Sequence, residues 1–88
     1  MLCKNLIIKG LVQGVGYRYW LRRRALSRGI KGYVKNLADG NVEAVLCGGE
    51  KEVQQTIREC FEGPLSAQVK NIDIKNVDFK PKDFSIIF

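Results

Sequence analysis

Apolar side chains recur at two different periods along this chain, and each change of period marks a new element. Over residues 4–12, Leu6, Ile8 and Val12 fall on one face, with Gly10 interrupting the alternation; a two-residue period is that of a strand packed on one side. Over 17–28 the spacing lengthens, and Tyr17, Trp20, Leu21 and Ala25 form a helical stripe into which Arg24 intrudes, with Gly29 as a suitable stop. Residues 31–37 and 41–47 read as strands on either side of Ala38-Asp39-Gly40, and Asp-Gly between two such runs predicts a hairpin. Val53, Thr56, Ile57, Cys60 and Phe61 return to helical spacing. Glu50 and Glu52 lie in that helix's first turn, where its dipole favours them, and Gly63-Pro64 closes it. Val69, Ile72, Ile74, Val77 and Phe79 are strand formers whose parity changes twice, which predicts a bulge, a bend or a slack edge. Phe84, Ile86 and Phe88 predict a short last strand. Tyr17, Trp20 and the aromatics near the C-terminus are expected in the core.

The order strand, helix, strand, strand, helix, strand predicts an α+β, ferredoxin-like sandwich (βαββαβ), with two helices on one face of an antiparallel sheet. Right-handed crossovers put the third strand between the first and second, so the ends of the first and second strands point to one rim. The glycine-rich turn after the first strand therefore shares a rim with Asn36, Asp39 and Gly40.

Length and composition narrow the function. A chain of 88 residues has room for one domain, 1–88, which reads as a stand-alone unit. No stretch approaches the roughly 20 apolar residues of a membrane span and no basic, apolar leader opens the chain, so a cytoplasmic, membrane-free protein is expected. The net charge of +6 is uneven: Arg22, Arg23, Arg24, Arg28, Lys31 and Lys35 cluster early, and acids gather between residues 50 and 62. The arginine run reads first as a solvated helix face, with small-anion steering and nucleic-acid binding as rivals. Histidine is absent, which excludes Ser-His and Cys-His nucleophile pairs, phosphohistidine and imidazole acid–base catalysis within this chain. Cys3, Cys47 and Cys60 lack the paired spacing of a zinc site, so no metal and no cofactor are expected.

What remains is chemistry by arginine, amide and backbone, and Gln13-Gly14-Val15-Gly16-Tyr17-Arg18 supplies all three. A Gly-x-Gly turn before a helix is by itself common punctuation. Here it coils the backbone so that successive N–H groups aim at one spot, the following helix adds its positive end, and Arg18 adds a planar fork that matches phosphate oxygens.

This hexapeptide, followed by Gly32-Tyr33-Val34-Lys35-Asn36-Leu37-Ala38-Asp39-Gly40, resembles the acylphosphatases, small ferredoxin-like enzymes that hydrolyse carboxyl-phosphate anhydrides. The likeness continues through Val42-Glu43-Ala44, Gly63-Pro64, Ala67, Val69 and Phe84-Ser85-Ile86, nearly the whole chain. It implies that residues 13–18 (Gln13, Gly14, Val15, Gly16, Tyr17 and Arg18) bind the phosphoryl group, with Arg18 as chief ligand, and that Asn36 orients the attacking water. It also implies an acyl phosphate or inorganic phosphate as ligand, with no nucleic acid or membrane partner, and a monomer. Tyr17 stands where the family more often has phenylalanine. Leu11 stands where an arginine often precedes the loop, a change that bears on substrate affinity rather than on chemistry. Asp39 reads as a turn residue only.

Two rivals come from other classes. The same fold carries RNA-recognition domains, and Lys31-Gly32-Tyr33 echoes their aromatic motif, but Val34, Lys35 and Asn36 stand where further aromatics would be needed. The other is a module that binds acyl or carbamoyl phosphate without turnover; a domain of this type also begins a larger hydrogenase-maturation protein. Antiparallel pairing of the first and third strands would bring Cys3 to Cys47. A disulfide is then geometrically possible, although a reducing cytosol favours free thiols, and Cys60 belongs to the second helix's buried stripe.

Overall fold

The computed structural model describes residues Met1–Phe88. Seven elements follow in order: β1 (Leu2–Leu11), α1 (Tyr17–Ser27), β2 (Lys31–Asn36), β3 (Val42–Gly48), α2 (Glu50–Cys60), β4 (Gln68–Asn76) and β5 (Phe84–Ile87). They form one sheet of order β4-β1-β3-β2-β5. The strands β4, β1, β3 and β2 are antiparallel, as the order of elements predicts, with β3 between β1 and β2. The fifth strand adds a parallel pair at the β2 edge, so the sheet is mixed.

Alternation in β1 and β3 sends Leu6, Ile8, Val42, Ala44 and Leu46 to the helix-covered face, where they pack with Leu21 and Ala25 of α1 and with Val53, Ile57 and Cys60 of α2. Each is essentially sealed from water. At about 25 cal/mol per Å² this apolar burial is the main favourable term in the fold. Burial also raises the Cys60 thiol to about 12, so at neutral pH it is a packed, protonated side chain and not a nucleophile.

The arginine run divides by position. Arg22 and Arg23 are exposed, as a solvated face requires. Arg24 and Arg28 instead lean onto α2: Arg28 donates to both carboxylate oxygens of Glu59 at 2.8 Å and to Thr56 Oγ1 at 2.9 Å, and Arg24 reaches Glu59 at 3.1 Å. Arg24 also lies 4.7 Å over the Trp20 ring, which explains how a cation fits within the stripe. The Arg28 hydrogen bonds hold the Glu59 carboxyl below its ordinary 4.5. A lowered folded-state value means stabilisation that is complete above the unfolded-state value and lost as pH falls through the folded one. Glu59→Gln is therefore expected to cost about 1 kcal/mol at pH 7. The difference from the unsubstituted protein in urea midpoint should shrink steadily between pH 5 and pH 3; a gap independent of pH would discount the ion pair.

Because β4 and β5 occupy opposite edges, the connection between them must cross the sheet's other face. Residues 77–83 do so: the Val77 N–H donates to the Cys3 carbonyl at 3.2 Å, Phe79 sets its ring 5.8 Å from Tyr33, and the Gly32 N–H donates to Asp83 O. Beneath this strap Cys3 and Cys47 are joined as a disulfide, contrary to the expected free thiols. The two are direct cross-strand partners with Cα atoms 4.1 Å apart, and both side chains leave the sheet on the strap's side. That is the close spacing of a non-hydrogen-bonded antiparallel pair, so register alone brings the sulfurs together.

The strap and one bulge also account for the two parity changes. Gly10 pairs with Val69 and Lys9 with Asn71, which leaves Lys70 as an extra residue in β4, while Val77 and Phe79 belong to the strap. Aromatic placement differs from expectation in part. Tyr17 and Phe84 are core residues, but Trp20 is only partly buried, Phe61 caps α2 half-exposed, and Phe79 and Phe88 are exposed. The short β5 ends before Phe88, leaving it without a covering layer.

Candidate active site

Between β1 and α1 the chain turns through Gly14 (φ 75°) and Gly16 (φ 78°), both in the left-handed region where a Cβ is disfavoured. Gly16 is the N-cap of α1 and offers no side chain to close it. The first helical hydrogen bond runs from the Trp20 N–H to Gly16 O, so the N–H groups of residues 13–19 donate to no protein acceptor. A helix start whose donors are left open in this way collects partial positive charge and favours an anion.

The two ends of the loop are pinned. Gln13 Nε2 donates to Leu37 O at 2.7 Å and to Asn41 O at 2.8 Å, tying the loop to the β2–β3 hairpin. Its side chain is thus occupied with the scaffold, a role its sequence position did not signal. At the other end Tyr17 turns inward: its hydroxyl donates to Cys60 O at 2.5 Å, its ring lies 5.3 Å from Trp20, and burial pushes its ionisation far above the ordinary range. Gly63, at φ 67°, packs against the ring face, where a Cβ would come within 2.7 Å. Of the six loop residues, Gln13 and Tyr17 therefore offer the site only their backbone, and Val15 is partly buried against the core.

Arg18, in the first turn of α1, is half-buried and forms no ion pair. Its guanidinium lies 5.0 Å from the Phe88 ring centroid, and Phe88 in turn stands 6.5 Å from the ring of Tyr19. Asn36 closes β2, half-buried, and its side-chain amide has no protein partner. β5 runs parallel to β2 with Ile87 opposite Lys35, so the chain's last residue, Phe88, follows at the Asn36 end of β2. With β3 between β1 and β2 and antiparallel to both, the end of β1 that leads to Arg18 and the end of β2 at Asn36 open on one rim, and Phe88, expected in the core, lies against Arg18 there. Asp39 accepts the Asn41 N–H at 3.0 Å and its side-chain amide at 3.2 Å, the turn role expected of it. No three His, Cys, Asp or Glu side chains converge as a metal site would require.

An open helix start on a glycine loop, an unpaired arginine and a free amide at one rim make an arrangement suited to a phosphoryl group. The acylphosphatase family model matches residues 4–86. The chain belongs to the acylphosphatase family. An acylphosphatase from Rhodopseudomonas palustris is 45% identical over 71 residues, covering 81% of this chain and 72% of its own. The crystal structure of acylphosphatase from Bacillus subtilis superposes with a TM-score of 0.95 at 33% identity over the full length of both chains. The full length of this chain also superposes on 12% of T. kodakarensis HypF, with a TM-score of 0.88 at 28% identity. Hydrolysis of acyl phosphates is accordingly the activity of this chain. No helix is long and apolar enough to cross a membrane.

Proposed function

We propose that this acylphosphatase binds the phosphoryl group of its substrate in the 13–18 loop and on Arg18, and that Asn36 positions the attacking water. The observation that carries this reading is the run of N–H groups at residues 13–19 with no protein acceptor, at the uncapped start of α1. Those N–H groups and the Arg18 fork donate to the three equatorial oxygens, where charge spreads in the transition state. Asn36 holds water through a neutral amide, whereas a carboxylate there would repel the phosphate. The water oxygen bonds to phosphorus as the phosphorus–acyl oxygen bond breaks, and that bond's electron pair leaves with the carboxylate. The water's proton passes to a phosphate oxygen of the substrate.

A carboxylate leaving group is so weakly basic that it needs no proton, so a chain without histidine can carry the whole reaction. In this reading one domain, 1–88, acts as a monomer in the cytoplasm without metal or nucleic acid, and inorganic phosphate is both product and competing ligand. The test is steady-state hydrolysis of benzoyl phosphate in excess chelator, corrected for spontaneous breakdown. Turnover that persists in chelator supports the reading, and turnover that needs an added metal overturns it.

A further inference from the structure

Beside the loop, at the β1/β4 end of the same rim, a cleft of about 560 Å³ is lined by Lys9, Gly10, Leu11, Asn41, Gln68 and Lys70. It adjoins the proposed phosphate site directly: Leu11 ends β1 just before the loop, and Asn41 is the residue whose carbonyl Gln13 grips. Displacement at phosphorus runs in line, so attacking and leaving oxygens lie on opposite sides of the phosphoryl group. With water held from the β2 side by Asn36, the acyl group departs on the side away from β2. β3 and β1 follow β2 in the sheet, and β4 lies beyond them. The cleft at β1 and β4 is on that departing side.

Its cations are unequal. Lys9 is committed to Asp73 at 2.8 Å, and Asp73 is further held by the Asn71 amide at 2.9 Å. Lys70 forms no ion pair and no side-chain hydrogen bond. It is also the extra residue of the β-bulge, and a bulge re-aims the side chain it carries. The bulge depends on Gly10, at φ 133°, because a Cβ there would run into the Gln68 carbonyl. The free cation thus lines the cleft at a bulge opposite Gly10, three residues before the loop begins at Gln13, and Leu11 supplies an apolar wall next to it.

We infer that this cleft seats the acyl portion of the substrate and that Lys70 selects acyl groups carrying a second anionic group, a carboxylate or a phosphate, beyond the scissile anhydride. The inference rests on the site reading above and adds to it the side from which the substrate is read. Lys70 acts here as a specificity residue, touching the distal end of the acyl group and none of the reacting atoms.

Two aryl substrates separate the possibilities. In 4-carboxybenzoyl phosphate the para carboxylate cannot reach back to close an anhydride, and benzoyl phosphate lacks that charge. The quantity to measure is the ratio of their kcat/KM values on a single enzyme preparation, which cancels differences in folded fraction. The unsubstituted protein should favour the carboxylated substrate, and Lys70→Gln should lower the ratio about fivefold, the upper size of an exposed ion pair. Lys70→Arg should restore it, while Lys82→Gln, the loss of an exposed lysine on the strap, should leave the ratio in place. A ratio indifferent to Lys70, or one lowered equally by Lys82→Gln, overturns the inference while leaving the phosphate site intact. Failure to hydrolyse either substrate overturns the site reading and the inference together.

Discussion

Arg18→Ala is expected to lower kcat/KM for benzoyl phosphate about 10³-fold and to abolish competitive inhibition by inorganic phosphate in the millimolar range. The guanidinium is the only fixed charge the structure places at the loop, held over Phe88 and free of any acidic partner. Removing it takes a charge-assisted fork from both the ground state and the transition state, so KM and kcat should both suffer. Asn36→Ala should behave differently. Its amide touches the water in the proposed reaction and makes no hydrogen bond within the protein, so kcat should fall about 10²-fold while phosphate inhibits nearly as before. Neither side chain belongs to the buried core, so both variants should keep the unfolding midpoint of the unsubstituted protein within about 1 kcal/mol. Near-normal turnover in either would remove that residue from the site. A common loss in both, with unchanged phosphate affinity, would remove the division of labour between them.

Reduction of the Cys3–Cys47 bridge is expected to cost about 4 kcal/mol of stability, the loop-closure value for a cross-link between residues 44 apart. For a domain of this size that corresponds to a fall of roughly 15–30 °C in Tm. The comparison is between oxidised and reduced protein in urea or by calorimetry, with intact mass rising by two hydrogens on reduction. Cys3→Ala in reductant serves as a second reference. The site should not feel the change: Cys3 is the second residue of β1 and the loop follows its far end, about 27 Å away at strand spacing. KM for benzoyl phosphate below the reduced protein's melting range should therefore be the same in both states. A stability difference below about 1 kcal/mol would show that register and strap already hold these strands without the bond.

The disulfide illustrates how far local pattern reaches. Antiparallel pairing of β1 with β3 follows from the order of elements, and with it the proximity of Cys3 and Cys47. Whether the sulfurs meet depends on the exact register and face, which are settled by the packing of Leu6, Ile8, Ala44 and Leu46 under the helices. A shift of one residue would have sent the two cysteines to different faces. The strap posed the same difficulty: Val77 and Phe79 look like strand residues, and only the location of β4 and β5 at opposite edges forces them across the sheet.

The amino-acid sequence by itself determined the split βαββαβ order, the hairpin at Asp39-Gly40 and the glycine turn that leads into α1, and its resemblance to the acylphosphatases pointed to Arg18 and Asn36, on which the proposed chemistry turns. Periodicity, glycine placement and residue chemistry are local properties and suffice for the elements and turns, whereas the two roles rest on the resemblance and the shared rim on the order of the strands. Tertiary structure alone decided that Gln13 serves the hairpin, that Tyr17 anchors the loop to α2 through Cys60 O, and that Phe88 leaves the core to lie against the Arg18 guanidinium. It also decided that an extra residue in β4 turns Lys70 toward the cleft beside the loop. These contacts join positions dozens of residues apart, and they form because packing the two helices on the sheet sets which strand edges, registers and loop ends face each other.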